Sequence, residues 1–285
     1  MPRKRPTVAD VRANKGKYQY TMMRTENWEE LAAAEAAGID MCSVPPEMLK
    51  DRRFRDVAPS IFAVPGLALY SAPPTTDEYM RWAFDMMVHG ADAIYCAAAF
   101  DTVERMAKDN VPVIGHVGLI PHFCTWTGGF KAVGKTADSA MQVYERCKRY
   151  EQVGAFGVEI EVVPPEVTSE IAKRTNLFLV SMGGGPGGDC QYLFGCDVLG
   201  TNSGHVPRHS KGYVDLAKEY ARLQDMRIDA FKAFVKDVQD GTYPSDPFLV
   251  TAPASEMETF RRRLAAASSL KERGEDRDNR DIESH

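Results

Sequence analysis

The sequence predicts a single (β/α)8 barrel, an α/β fold of the TIM type. Three observations carry the prediction. Short apolar runs that read as strands alternate with helical segments eight times, the pattern of a parallel sheet with crossover helices. A chain of 285 residues has room for eight such units. The competing architecture, a doubly wound open sheet, lacks its marker, because no Gly-x-Gly-x-x-Gly turn follows the first strand.

Residues 1–17 are polar and are expected to form an N-terminal arm, with the barrel over 18–266. Tyr18 to Met23 reads as the first strand. Glu26 to Ala37 is rich in Ala and Glu, both good helix formers, and Gly38 stops the helix. Ile39 to Val44 is the second strand, ended by Pro45-Pro46. Gly66 to Tyr70 is expected to be the third. Thr75 or Thr76 caps a helix that runs to His89 and ends at Gly90. Asp92 to Cys96 is the fourth strand, Asp101 to Lys108 a short helix, and Val111 to Gly115 the fifth strand. A long helix covers Ala137 to Val153. Phe156 to Val162 is the sixth strand, and Pro164-Pro165 open a helix that runs to Arg174. Leu177 to Met182 is the seventh strand, and Gln191 to Val198 contains the eighth. Lys211 to Gly241 is mostly helical, with Phe231, Phe234, Val235 and Val238 at helical spacing. Residues 267–285 are nearly all charged or polar and are expected to be disordered.

Composition excludes several classes. The formal net charge is -5, so the chain offers no electrostatic footprint for nucleic acid. No apolar stretch reaches the roughly 18 residues a membrane span needs, and no secretory signal is visible. The six cysteines form no Cys-x-x-Cys pair, which argues against a zinc ribbon or disulfide framework and for a reducing cytoplasm.

The most informative stretch is Gly115-His116-Val117-Gly118-Leu119-Ile120-Pro121-His122, followed by Gly128-Gly129-Phe130-Lys131 and Gly134. A buried strand that delivers a His into a long loop is how a barrel presents a catalytic group. The bland alternative is a satisfied core histidine. Glu159 and Glu161 share one face of the sixth strand by alternation, where they would perturb each other or share a cation. Tyr95 and Cys96 are neighbours on a strand, so only one of them faces the interior. Cys124 with His122 is a weak nucleophile signal. Gly183 to Gly188 reads either as an anion cradle or as a tight loop needing positive φ.

These residues resemble the ketopantoate hydroxymethyltransferase family. That family carries a Gly-His-hydrophobic-Gly-Leu-Thr-Pro-Gln segment and then Gly-Gly-aromatic-Lys; Ile120 and His122 depart from it. Thr7 to Arg12, Glu161-Val162-Val163-Pro164, Gly183-Gly184-Gly185-Pro186 with Asp189 and Gln191, and Asp197 to Gly200 extend the likeness over residues 7–250. The resemblance implies a barrel of the phosphoenolpyruvate mutase/ketopantoate hydroxymethyltransferase type, and a transferase or lyase of the kind found in pantothenate biosynthesis. Such an enzyme makes or breaks a C–C bond alpha to the carbonyl of a small keto acid. It also implies a homo-oligomer. Glu161 matches the family's base, His116 its strand-five His, which would bind or polarise the substrate, and Tyr95 takes the place of its Lys. Ser43, Ser71, Glu159 and Lys131 are expected to bind substrate.

The family's metal-binding segments are replaced, by Pro45-Pro46-Glu47 after the second strand and by Ser71 after the third. No metal ligand is therefore assigned. Mg²⁺ and 5,10-methylenetetrahydrofolate are expected only if the family reaction on 3-methyl-2-oxobutanoate is retained; otherwise the reaction is metal-independent and the substrate another small acid. The alternative is a non-catalytic homologue acting as a subunit or small-acid binding protein.

Overall fold

The computed structural model describes residues 3–67 and 71–278. The chain divides into two compact units, residues 1–219 and 220–285. The first holds all eight strands.

Helix α1 (Val8–Ala13) opens with a capping box between Thr7 and Asp10. Strand β1 (Tyr20–Arg24) leads to α2 (Trp28–Ala37), which Asn27 caps and Gly38 ends in the left-handed conformation. Strand β2 (Met41–Val44) runs into α3 (Pro46–Lys50) and α4 (Phe54–Val57), then β3 (Phe62–Pro65). Helix α5 (Thr76–Val88), capped by Thr75, precedes β4 (Ile94–Tyr95), and α6 (Phe100–Lys108) precedes β5 (Val113–Gly118). A short α7 (Cys124–Thr127) lies in the loop before α8 (Ala137–Gln152), and β6 (Gly157–Glu161) and α9 (Pro165–Ala172) follow. Strand β7 (Phe178–Met182), β8 (Cys190–Phe194) and the short α10 (Gly195–Val198) complete the barrel.

All neighbouring strands pair in parallel, in the order β3-β2-β1-β8-β7-β6-β5-β4. The ring all but closes between β3 and β4, where the Asp92 amide donates to the Ala63 carbonyl at 2.9 Å. Alternation splits the strand residues into two cores. Tyr20, Met22, Phe62, Ile114, Phe178 and Val180 fill the barrel, whereas Cys42, Ala63, Cys96, Val117, Ile160 and Leu179 pack outward against the helices. The inward residues one step further along each strand make the cavity wall.

Two expectations need correction. The third strand is Phe62–Pro65, not Gly66 to Tyr70, of which residues 68–70 lie outside the described residues. Both segments are apolar; pairing with β2, Met41 opposite Phe62, selects the earlier one. No helix stands between β7 and β8. The segment Gly183–Asp189 makes that crossover alone, where parallel strands usually need about a dozen residues or more.

The second unit contains most of α11 (Leu216–Gln239) and then α12 (Ala254–Asp278). Within it Tyr243 packs edge-on against Phe234 and at a tilt against Phe248, with ring centroids 5.5 and 5.6 Å apart. The charged stretch from residue 267 continues α12 as far as Asp278, since its Glu, Arg and Lys content favours helix. Residues 279–285 lie outside the described residues.

Candidate active site

A cavity of about 690 Å³ opens at the carboxyl ends of the strands, where barrel enzymes carry their chemistry. Its wall is built from inward strand-end residues: Arg24, Ser43, Tyr95, His116, Glu159 and Tyr192. Strand register brings the centre of the wall together. His116 lies opposite Glu159, and Gly118 opposite Glu161, across β5 and β6.

His116 is buried, and each ring nitrogen has an oxygen neighbour. Nδ1 shares a short hydrogen bond with the Tyr95 hydroxyl. Nε2 lies 3.0 Å from Glu161 Oε2 and 3.9 Å from Glu159 Oε1, yet it makes no hydrogen bond of good geometry. Burial of the His116 ring disfavours its cation, but Glu159 and Glu161 outweigh this and leave its pKa raised. Burial pushes the Glu159 carboxyl up to about 7, with His116 opposing and Glu161 reinforcing the shift. Burial, then Glu159 and Glu161, hold the Tyr95 phenol well above its ordinary value, so it stays a proton donor.

The backbone around Glu161 is pinned on both sides. The Leu119 amide donates to the Glu161 carbonyl at 2.9 Å. A side chain on Gly118 would collide with that carbonyl, and Gly118 takes a φ of +87°. Val162 has a φ of +50°, an outlier for a β-branched residue. Its amide donates to Met182 and its carbonyl accepts from Val133. Strain held in place at a site is often functional.

The structure therefore brings together Tyr95, His116, Glu159 and Glu161, with Ser43 on the same cavity wall. Glu161 faces His116 and is not among the cavity-lining residues; Glu159 is the carboxyl on the wall. Ser71 and Lys131 are exposed and stand off the wall. Cys96 points outward into the helix layer, and Cys124 is half-buried in α7, away from the wall. His122 lines the cavity, its pKa lowered by burial and by His116. Gly183–Gly188 is the close crossover rather than a cradle: side chains at Gly185, Gly187 and Gly188 would strike Pro165, Ser169 and Ser181.

Arg24 was missed by the sequence reading. A charge beside Glu26 looks like a solvated loop, but Tyr20, Met22 and Arg24 alternate inward along β1, and that was the available signal.

A Mg²⁺ site of the family's kind does not fit. Among the described residues, the cavity wall contributed by β2, β3 and the loops after them offers Ser43, Val64, Gly66, Leu67, Ala72 and Pro73, none a carboxylate, and Glu47 is exposed on α3. Among the described residues, the group that could hold an ion is His116, Glu159 and Glu161, whose donor atoms lie within 4.8 Å of one another. One nitrogen with two carboxylates suits zinc, manganese or iron better than Mg²⁺.

An eight-stranded parallel barrel with a buried acid–base cluster at its carboxyl end defines a TIM-barrel enzyme. A family model for ketopantoate hydroxymethyltransferase matches residues 52–246, more than half of the chain. A 3-methyl-2-oxobutanoate hydroxymethyltransferase from Thermotoga neapolitana is 27% identical over 266 residues, covering 86% of this chain and 96% of that protein. The enzyme of the same name from Halalkalibacterium halodurans is 35% identical over 162 residues, 56% of each chain. A solved structure from Burkholderia cenocepacia described as a phosphonomutase shares the fold, with a TM-score of 0.51 at 12% identity, covering 81% of this chain and all of that one. The chain belongs to the ketopantoate hydroxymethyltransferase family. Among the described residues no helix is long and apolar enough to cross a membrane.

Proposed function

We propose that this protein makes or breaks a carbon–carbon bond alpha to the carbonyl of a small keto acid, without a bound metal. The observation that carries the reading is the buried chain Tyr95–His116–Glu161, with Glu159 beside it on the cavity wall. An α-proton of a keto acid is too weakly acidic to remove unless the developing enolate oxygen meets a donor. With His116 protonated, Nδ1–H donates to the Tyr95 oxygen, which leaves the phenolic proton free to point into the cavity at that oxygen. Nε2–H faces Glu161, which holds the charge on the ring.

The two carboxyls serve as one base. Glu161 is the family's base position, and Glu159 meets the substrate and shares the abstracted proton, with a pKa near the working pH. The enolate carbon then attacks formaldehyde, either free or released with one water from a methylene carrier, and the new alkoxide takes a proton back from the same pair. In reverse, the hydroxymethyl group leaves as formaldehyde. The cavity falls within the roughly 300–1,000 Å³ of drug-sized sites, so a small keto acid leaves room for a second reactant. The relatives' names point to 3-methyl-2-oxobutanoate as the first keto acid to try.

The test supplies that acid with formaldehyde or 5,10-methylenetetrahydrofolate and follows the hydroxymethylated product by mass spectrometry. Glu161→Gln should abolish product with the fold intact, and Tyr95→Phe should slow it by about 10²–10³-fold, as loss of one enolate-oxygen donor does. A fully active Glu161→Gln protein removes the proposed base. Binding of keto acid with no turnover by the wild type favours a small-acid binding homologue instead.

The homo-oligomer belongs to the same proposal. Helix α11 carries Phe231, Phe234, Val235 and Val238, and no residue of this helix is buried; light scattering on the purified protein decides it.

A further inference from the structure

We infer that Arg24 anchors the carboxylate of the substrate, and that Glu26 occupies the guanidinium until substrate arrives. The inference rests on the reading of the site as one for a keto acid. Arg24 ends β1 and turns inward, with its side chain 15% exposed. Among the described residues that line the cavity, it alone carries a permanent positive charge. β1 and β5 stand four places apart in the ring of eight strands, so the guanidinium and the His116–Glu159 wall face each other across the cavity mouth. A keto acid brings its own negative charge. It can place C3, the carbon beside its carbonyl, against two carboxyls only if a cation holds its carboxylate at the other end.

The guanidinium is already set for that task. Nη1 donates to Ser43 Oγ at 3.2 Å and to the Gly66 carbonyl at 3.3 Å, which fixes one edge of the planar fork. A side chain on Gly66 would collide with both Nη1 and Ser43, so the glycine makes the space. Tyr192, also on the wall, hydrogen-bonds Ser43 and completes the support. The other edge, Nε and Nη2, makes the two-pronged contact with Glu26 at 2.6 and 3.1 Å. Arg binds carboxylates in this geometry by preference. The Glu26 side chain is 54% exposed, and its hold on Arg24 is that of a solvated ion pair, worth little. An incoming carboxylate that also fills the cavity replaces it at small cost. The geometry thus assigns a carboxylate subsite to Arg24 and Ser43, with a tethered carboxylate as its resting occupant.

Isothermal titration tests this with 3-methyl-2-oxobutanoate and pyruvate, each against its methyl ester. The wild type should prefer the acids by about tenfold to a hundredfold, the worth of a charge-assisted hydrogen bond. Arg24→Met should lose that preference and Arg24→Lys keep part of it. Glu26→Gln should bind the acids more tightly, by about twofold or more, since the resting occupant no longer competes. If Arg24→Met fails to fold, the ester comparison on the wild type and the Glu26→Gln affinity still decide. Acids and esters bound alike, no binding of either acid by the wild type, or weaker binding by Glu26→Gln would each overturn the anchor. The carbon chemistry fails separately, if the acids bind with the expected preference but their C3 hydrogens do not exchange in D2O.

Discussion

Glu159 and Glu161 sit two residues apart on β6, both buried, and the only base reaching them from β5 is His116. That places two carboxyls where water cannot solvate both charges. Burial lifts Glu159 from 4.5 to about 7. The folded state therefore binds a proton that the unfolded state releases between those two values, and stability falls as pH rises through that window. Glu159→Gln removes the dependence. Its melting temperature should change less between pH 4.5 and 7 than that of the wild type, the difference amounting to no more than about 3 kcal/mol. Thermal unfolding across that range checks it; parallel curves for the two proteins would show that Glu159 is not the group. The activity should run the opposite way on the acid side, rising as Glu159 ionises near pH 7, and should fall again where His116 loses its proton. The alternation of a strand was enough to say that only one of Tyr95 and Cys96 faces inward, and to set Glu159 beside Glu161; the family resemblance singled out Tyr95. Arg24 follows Tyr20 and Met22 in the same alternation, but a charged strand end next to Glu26 and Asn27 has the composition of a surface loop, and that masks the signal. Only closure of the sheet turns that strand end into a cavity wall.

At the scale of elements, the crossover Gly183–Asp189 shows why a run of glycines need not bind an anion. The segment must return along β7 without a helix to carry it, pressed against α9. Ser181 Oγ and Gln191 Nε2 both donate to the Gly185 carbonyl, at 2.9 and 3.0 Å. Asp189 closes it by accepting from the Leu179 amide at 2.9 Å and from Lys15 Nζ at 2.7 Å, which ties the N-terminal arm to the barrel floor. Gly185→Ala meets Pro165 and a φ of +81° at once, so it should cost about 2–4 kcal/mol from overpacking and left-handed strain together. Denaturant unfolding measures that loss, and the pH profile of activity should be unchanged; a loss of substrate affinity at unchanged stability would restore the cradle. The sequence could not separate the two readings, because both need glycine. The third strand failed for a related reason. Two apolar runs compete within residues 61–70, and the choice is made by a partner strand distant in sequence.

For the whole molecule, the barrel was legible from alternation and length, because each strand must bury both faces and each helix one. The chemistry was legible in part, since the resemblance singled out Tyr95, His116 and Glu161, which the fold brings into one cluster. The structure puts an acid–base cluster on one side of the cavity and a fixed guanidinium on the other, and under the proposed function these residues suffice for enolate formation. The most direct measurement is proton NMR of 3-methyl-2-oxobutanoate in D2O with chelator-treated protein, following loss of the C3 hydrogen signal. If these residues alone form the enolate, exchange needs no added metal and disappears in Glu161→Gln. Exchange that begins only when Mg²⁺ or Mn²⁺ is restored, or that survives in Glu161→Gln, would contradict it.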